Sequence, residues 1–346
     1  MKEEEIRPKK IFDEYLRLAA QDTHTYFDQT ERRKIACPAC GNLGSIAFEK
    51  SGFVYEKCSR CQTLYVSPRP LAEAFSRYYL ESPSSRYWAT TFYKETAEAR
   101  REKLWKPKAR QIQKIIWEFF SKSDTYPTSM PSIETNSNYD LLQDTLVVDI
   151  GGGYGLFAEE IRRLLPREPI VIEPAPHLAE VCRKKGIRVV EKFLEDIQPD
   201  DLPKTPKAFV SFELFEHLHD PMSFMSGLHS LMQSGDLFIF TTLSGNGLDI
   251  QVLWENSKSI MPPHHLNFFN PQSVKLLLER TGFKTLRVTT PGKLDIDILS
   301  NNQSPIGDRF WSTFLSVATD AEKQIWQSWI AEQGWSSHMW VVCCKP

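Results

Sequence analysis

Short runs of apolar, β-branched or aromatic residues recur through the second half of the chain: TLVVDIG, PIVIEP, RVVE, AFVSFEL and DLFIFTTL, each separated from the next by room for one helix. Unbroken apolar runs, rather than alternating ones, mean strands covered on both faces, so the pattern predicts a parallel, doubly wound α/β sheet. TLRVTT and the terminal HMWVVCCKP would add two more strands at the edge. The first half reads differently. Residues 1–30 look like a charged helical arm, 31–70 a small ribbon, and 71–120 a helical connector. Trp88, Phe92, Leu104, Ile112, Ile115 and Ile116 anchor that connector, and Pro107 should kink or split it. Residues 121–144 are polar, rich in Ser, Thr, Pro and Asn, and without periodicity, which predicts a flexible linker or insertion. The α/β domain occupies 145–346, with a helical insertion at about 305–334.

Composition narrows the classes. The 346 residues are 41% hydrophobic, ample for a core, yet no run approaches the roughly 18 apolar residues of a membrane span. The opening MKEEEIRPKKIFDEY has no apolar signal core, so a cytoplasmic location is expected. With 42 basic against 44 acidic residues, the charge argues against a dedicated nucleic-acid binder. One local excess stands out. Between residues 94 and 114 there are eight basic and three acidic side chains, either a solvated helix face or a surface for nucleic acid or an anionic substrate.

The cysteines are unevenly spread. CPACG supplies Cys37 and Cys40, CSRC supplies Cys58 and Cys61, and seventeen residues lie between the pairs. Two CxxC turns around a hairpin suit a tetrahedral thiolate cage for zinc; a redox CxxC is the alternative. Four cysteines leave no open coordination position, so the zinc would be structural. Cys182, Cys343 and Cys344 read as buried or strand residues.

Candidate chemistry sits at the carboxyl ends of the strands, where ligands bind in such sheets. VVDIGGGYG places Gly151, Gly153 and Gly155 after Asp149, in a turn that lets a ligand approach backbone. This is not the GxGxxG of dinucleotide folds, and it lacks a Walker lysine. Glu173, ending the second strand, can accept both hydroxyls of a ribose. Asp196 in FLEDI can accept from an adenine amino group, with Ile197 against the ring. After the fourth strand, SFELFEHLHDP brings Glu213, Glu216 and His217 to one face if it forms a helical turn, to serve as base, to hold a divalent ion or to shape the cofactor pocket. After the fifth, MPPHHLNFFN offers His264 and His265 on a proline-stiffened loop, ending at Asn270 as helix cap with Pro271 at the first position.

Over roughly 145–290, in motif order, the chain resembles class I S-adenosylmethionine-dependent methyltransferases. The ribbon followed by SPRP…YY, spanning 37–79, resembles the branch with an N-terminal zinc ribbon. The resemblance implies a seven-stranded, Rossmann-like sheet with S-adenosylmethionine as cofactor. It would put Asp149 and residues 151–155 at the methionine end, Glu173 at the ribose and Asp196 at the adenine. A Glu-His pair at 216–217 is widespread in such enzymes, and ubiquinone-pathway O-methyltransferases tie a similar E-x-x-E-H cluster to metal. His265 matches the recurrent histidine of the family, and His264 belongs to the ribbon-bearing group. By analogy the acceptor would be a small molecule, a saccharide or sugar nucleotide, O-methylated with a histidine base. Trp254, Phe268 and Phe269 are candidates to stack on a sugar ring. Sugar C-methylation or natural-product methylation is the alternative. From other classes come an RNA methyltransferase using the ribbon and the basic helix, and a non-catalytic cofactor-fold protein.

Overall fold

The computed structural model describes residues 2–120, 144–302 and 305–346, so the 121–143 stretch read as a linker lies outside the described residues. The chain starts with α1 (Lys9–Phe27) and continues into the ribbon strands β1 (Arg32–Arg33), β2 (Gly44–Lys50), β3 (Phe53–Cys58), β4 (Leu64–Val66) and β5 (Arg69–Pro70). The connector is α2 (Ala72–Glu81), α3 (Pro83–Tyr87), α4 (Tyr93–Arg100) and α5 (Lys106–Phe120). The α/β domain runs β6 (Leu146–Ile150), α6 (Leu156–Ile161), β7 (Ile170–Ile172), α7 (Pro176–Lys184), β8 (Arg188–Val190), β9 (Lys207–Phe212), α8 (Pro221–Leu231), β10 (Leu237–Leu243) and α9 (Leu248–Leu253). It closes with β11 (Asn267–Phe268), α10 (Ser273–Arg280), β12 (Lys284–Thr289), α11 (Asp295–Ser300), α12 (Arg309–Val317), α13 (Asp320–Glu332) and β13 (His338–Cys344).

The main sheet has seven strands in the order β12-β13-β10-β9-β6-β7-β8. Every residue of β6 and β9 is buried, as the unbroken apolar runs require. Successive side chains go to opposite faces. Leu146, Val148 and Ile150 join Phe209, Phe238, Met225 and Leu228 on one side. Val147, Val210 and Ile239 meet Ile112, Ile115, Ile116 and Phe157 of α5 and α6 on the other. One expectation is corrected. Of the two strands expected at the edge, only β12 is there; β13 is inserted antiparallel between β12 and β10. Its all-apolar interior, with Cys343 and Cys344 buried, fits that central place.

The connector also departs from the sequence reading. It is interrupted by two π-helical turns, Trp88–Phe92 and Arg101–Trp105, rather than by Pro107, which falls in the first turn of α5. Each wide turn changes the phase of the helix. Within each stretch the ordinary spacing then holds: Arg100 is buried four residues after Thr96 and Lys108 four before Ile112, while Arg101 pairs with Glu159 at 2.8 Å and Glu160 at 2.6 Å. The basic stretch is therefore not a continuous solvated face or an open surface for nucleic acid.

The ribbon is joined to the α/β domain through the backbone. β11 pairs antiparallel with β4, Asn267 opposite Tyr65 and Phe268 opposite Leu64, and so completes a four-stranded sheet β11-β4-β3-β2. Asn270 closes the junction. Its Oδ1 accepts from the amides of Gln272 (3.0 Å) and Ser273 (2.9 Å), and its Nδ2 donates to the carbonyl of Cys61 at 2.8 Å. Regular helix begins at Ser273, two residues beyond Pro271, but Asn270 still satisfies the first free amides. Replacing Asn270 by Ala removes the cap and leaves a buried carbonyl without its donor. It is expected to cost about 2–3 kcal/mol, read as a lower urea midpoint at unchanged m-value.

Candidate active site

The turn after β6 is left-handed three times, with φ of +70° at Gly151, +54° at Gly153 and +67° at Gly155. A Cβ at Gly155 would lie 2.8 Å from Ile187 and 2.9 Å from Cys182, so this residue lets α6 pack against its neighbours. Above Gly153 there is open space within 4 Å, the side on which a ligand can pass. Glu173 reaches under this turn and accepts from the amides of Gly153 (2.9 Å) and Ala175 (3.0 Å). Asp149 is buried with its Oδ2 unpartnered, and burial, with Glu173 nearby, pushes its carboxyl up to about 7. Asp196 ends a short 3-10 turn, Leu194–Asp196, and is exposed beside the buried Ile197.

The second group comes from the end of β9. Glu213 has φ +53° and the following turn, Phe215–His217, is 3-10, so the expected single helical face does not form. The carboxylates diverge instead. Glu213 accepts from Thr241 (2.8 Å) and from Lys108 (3.1 Å) of α5, with His338 of β13 at 3.5 Å. Burial raises its pKa, but Lys108 and His338 outweigh that and hold it well below the usual carboxylate range. Glu216 turns the other way, accepting from Thr242 at 2.8 Å; burial, then the charge of Glu213, pushes its carboxyl up to about 8.

The histidines divide where the turn at 262–264 ends, with His264 in the turn and His265 just beyond it. His265 donates from Nδ1 to the carbonyl of Ser259 at 2.6 Å, and His217 from Nδ1 to the carbonyl of His264 at 3.0 Å. A carbonyl only accepts, so both rings are held as Nδ1–H tautomers, and neither Nε2 has a hydrogen-bond partner among the described residues. The ring centroids are 4.9 Å apart. Burial drives His265 down to about 3 and His217 to about 4, so both are neutral. A ligand atom from each, with one from Glu216, all lie within 4.8 Å of one another. His264 is not one of this set, although its ring meets that of His217 edge-on at 6.0 Å. It is buried, meets the hydroxyl of Tyr78 at 2.5 Å and packs on Tyr15 and Tyr79.

The ribbon positions this loop. Tyr55 of β3 donates to the carbonyl of His265 at 2.8 Å, and buried Arg69 donates to Asn267 Oδ1 at 2.8 Å and to the carbonyl of His219. In the ribbon itself Cys37 and Cys61 sulfurs are 3.5 Å apart and those of Cys40 and Cys58 3.4 Å. All four lie within 4.8 Å of one another, near the spacing of roughly 3.8 Å that 2.3 Å Zn–S bonds give in a tetrahedron. Asn42 donates to the Cys40 sulfur at 3.3 Å, as the environment of a thiolate ligand would.

Several site residues were not singled out from sequence. Lys108 and Arg100 were counted only as part of a basic stretch, Arg7 as part of a charged arm, and His338 as part of a terminal strand. For Lys108 a local signal exists, since it stands four residues before Ile112 and shares the apolar face of Ile115 and Ile116; His338 has none, because the strand order brings it in. The converse holds for the aromatic candidates. Phe268 and Phe269 are fully buried in the core, and Trp254 packs on Phe48 of the ribbon at 5.2 Å. The two phenylalanines are packing anchors, not a platform for a sugar.

Residues 105–288, more than half of the chain, match a family model described as a methyltransferase domain, and the chain belongs to that family. Its activity is that of a methyltransferase. No curated protein matches the sequence. Solved structures that resemble it include the plantazolicin methyltransferase BpumL in complex with a monoazolic desmethylPZN analogue and SAH, at 12% identity and TM-score 0.46, covering 78% of this chain and 93% of that one. A SAM-dependent methyltransferase from Thermotoga maritima, described as a possible histamine N-methyltransferase, is 15% identical with TM-score 0.42 and covers 74% and 98%. One from Archaeoglobus fulgidus is 16% identical with TM-score 0.40 and covers 60% and 90%.

Proposed function

We propose that the protein transfers the methyl group of S-adenosylmethionine to a hydroxyl of a small saccharide-containing acceptor, with His265, supported by His217, as general base. The observation that carries the base assignment is the pair of imidazoles fixed by Nδ1–H bonds to backbone carbonyls, each with an Nε2 unpartnered among the described residues. The saccharide itself rests on the resemblance to ribbon-bearing enzymes. The cofactor would lie along the glycine turn, with Asp149 at its methionine end, Glu173 under the ribose and Asp196 beside the adenine. When bound, it supplies an electrophilic methyl on a sulfonium. As the acceptor oxygen takes the methyl, its proton passes to Nε2. The sulfonium charge disappears as the imidazolium charge appears, so the net charge of the site is unchanged and a weakly basic buried imidazole can serve. His264, engaged by Tyr78, acts as a positioning residue.

A second reading has its own observation. A ring nitrogen from each of His217 and His265 and a carboxyl oxygen of Glu216 lie together in a two-histidine, one-carboxylate set suited to a divalent ion. Such an ion would acidify the acceptor hydroxyl.

With labelled cofactor and cell-extract fractions, His265→Ala and His217→Ala should lower kcat by about 10²–10⁴ with unchanged affinity for S-adenosylhomocysteine. Unimpaired turnover in both variants would sink the base assignment. Loss of activity in EDTA, restored by magnesium or manganese, is expected only for the ion reading.

The ribbon should carry about one zinc per chain by elemental analysis. Because β4 holds β11, chelation or Cys58→Ser is expected to reduce turnover as well as stability. A zinc-free ribbon in freshly reduced, fully active protein would be the contrary result.

Cofactor affinity should depend on pH through Asp149. Its carboxyl is raised to about 7, so it is protonated below that pH, whereas the cationic methionine end of the cofactor favours the carboxylate. Binding then releases a proton, and affinity rises as pH increases toward 7, by up to about tenfold per unit, and levels off above it. Calorimetric titrations should show this slope in the wild type and a flat, weaker profile in Asp149→Asn.

A further inference from the structure

The acceptor side of the site holds more positive charge than its own residues neutralise. Arg100, at the end of α4, is 9% exposed and its Nε is buried with no hydrogen-bond partner among the described residues. Its guanidinium lies 5.8 Å from the ring centroid of Tyr93, which stacks at 4.2 Å on Tyr154 of the glycine turn. Arg7 has the same defect: its Nε is buried and unpartnered. It is carried on the N-terminal turn, which is pinned to the connector by the Glu5–Lys103 ion pair one helical turn beyond Arg100. Arg7 sits 5.5 Å from the ring of Phe12, in the aromatic cluster with Tyr15, Phe92 and Met261. That cluster forms the roof of the histidine loop, because Tyr15 packs on His264 at 5.7 Å and the carbonyl of Met261 accepts from the amide of His265. The charge of Arg7 adds to the effect of burial in disfavouring the cationic forms of Arg100, His265 and His338.

A guanidinium nitrogen buried without a partner is costly, in Arg100 as a buried residue within reach of the Glu213 charge and in Arg7 as a half-buried one. Glu213 is already engaged by Lys108 and Thr241. The cofactor cannot supply what is missing, for it brings one carboxylate together with an ammonium and a sulfonium. Even if Arg100, on the glycine-turn side, takes that carboxylate, Arg7 on the histidine side has no anionic partner among the described residues.

We propose that Arg7, with Arg100 behind it, forms an oxyanion-binding subsite for the acceptor, so that the molecule methylated here carries a phosphate or carboxylate group. The subsite rests on the methyltransferase reading and adds the charge of the substrate to it. A guanidinium fork matches either anion in a bidentate pair, and holding that end fixes where the acceptor's hydroxyl lies relative to His265.

The test is calorimetric titration of the full-length protein, saturated with S-adenosylhomocysteine so that the cofactor's own carboxylate is in place, with inorganic phosphate and with malonate at low salt. At least one probe should bind in the millimolar range. Arg7→Gln should weaken that binding by about tenfold or more while leaving S-adenosylhomocysteine affinity unchanged, and Arg7→Lys should recover part of it. Binding of phosphate alone supports a phosphorylated acceptor, binding of malonate alone a carboxylated one, and binding of both an oxyanion read by charge. The proposal is overturned if neither probe binds, if Arg7→Gln binds them as the wild type does, or if Arg7→Gln loses S-adenosylhomocysteine instead. Wild type that fails to bind S-adenosylhomocysteine would count against the methyltransferase reading itself.

Discussion

Two residues of backbone pairing organise the functional half of this molecule. Where Asn267 and Phe268 lie against Tyr65 and Leu64, a loop beyond the fifth strand of the catalytic sheet becomes the edge strand of the cysteine ribbon. Strand pairing fixes both register and facing, since a slip of one residue would exchange every inward and outward side chain. The neighbouring contacts keep the same register: Val66 donates to the carbonyl of Leu266, Leu266 to that of Glu216, and Tyr55 to that of His265. The histidine loop thus has its ladder on one side and the Glu216 turn on the other. It is held by main-chain bonds that few substitutions can remove.

The electrostatics of the site arise from that enclosure. Carboxyls with an opposite charge at hand, such as Glu213 beside Lys108, are kept ionised; those without one, such as Asp149 and Glu216, are pushed up by burial. The imidazoles are neutral for the same reason. The arginines cannot respond in this way, because a guanidinium does not shed its proton in the accessible range. Their unpaired charge therefore persists as an attraction for an anion, whereas the carboxyls and imidazoles relieve theirs by titration.

How much of this is legible in the sequence depends on whether a feature is local. The strands are readable because a doubly covered strand must be apolar throughout, and β6 and β9 are. The glycine turn and the cysteine pairs are readable because their chemistry fixes their spacing. Phase and facing are not. A 3.6-residue period carried through 94–114 spreads the basic residues around the helix, and Lys108 already shares the face of Ile112, Ile115 and Ile116, but each π turn adds a residue, so the phase of the stretch carrying Arg100 does not carry over from that helix. In MPPHHLNFFN the composition alone cannot say which histidine faces the pocket. The β4 pairing decides it, and it also buries both phenylalanines that look available to a sugar. β13 is misplaced by the sequence reading because its place late in the chain suggests a border strand, although its unbroken apolar run, unlike the alternating one of β12, is that of an interior strand.

The shared four-stranded sheet has a bearing on descent. Modules that meet across a surface can be recombined at the linker between them, but here the seam runs through a hydrogen-bonded ladder. A ribbon inherited from a relative would meet the wrong edge unless the 262–270 segment came with it, some two hundred residues away in the gene. Ribbon and histidine loop are thus bound to drift together, as one co-inherited unit written in two distant places.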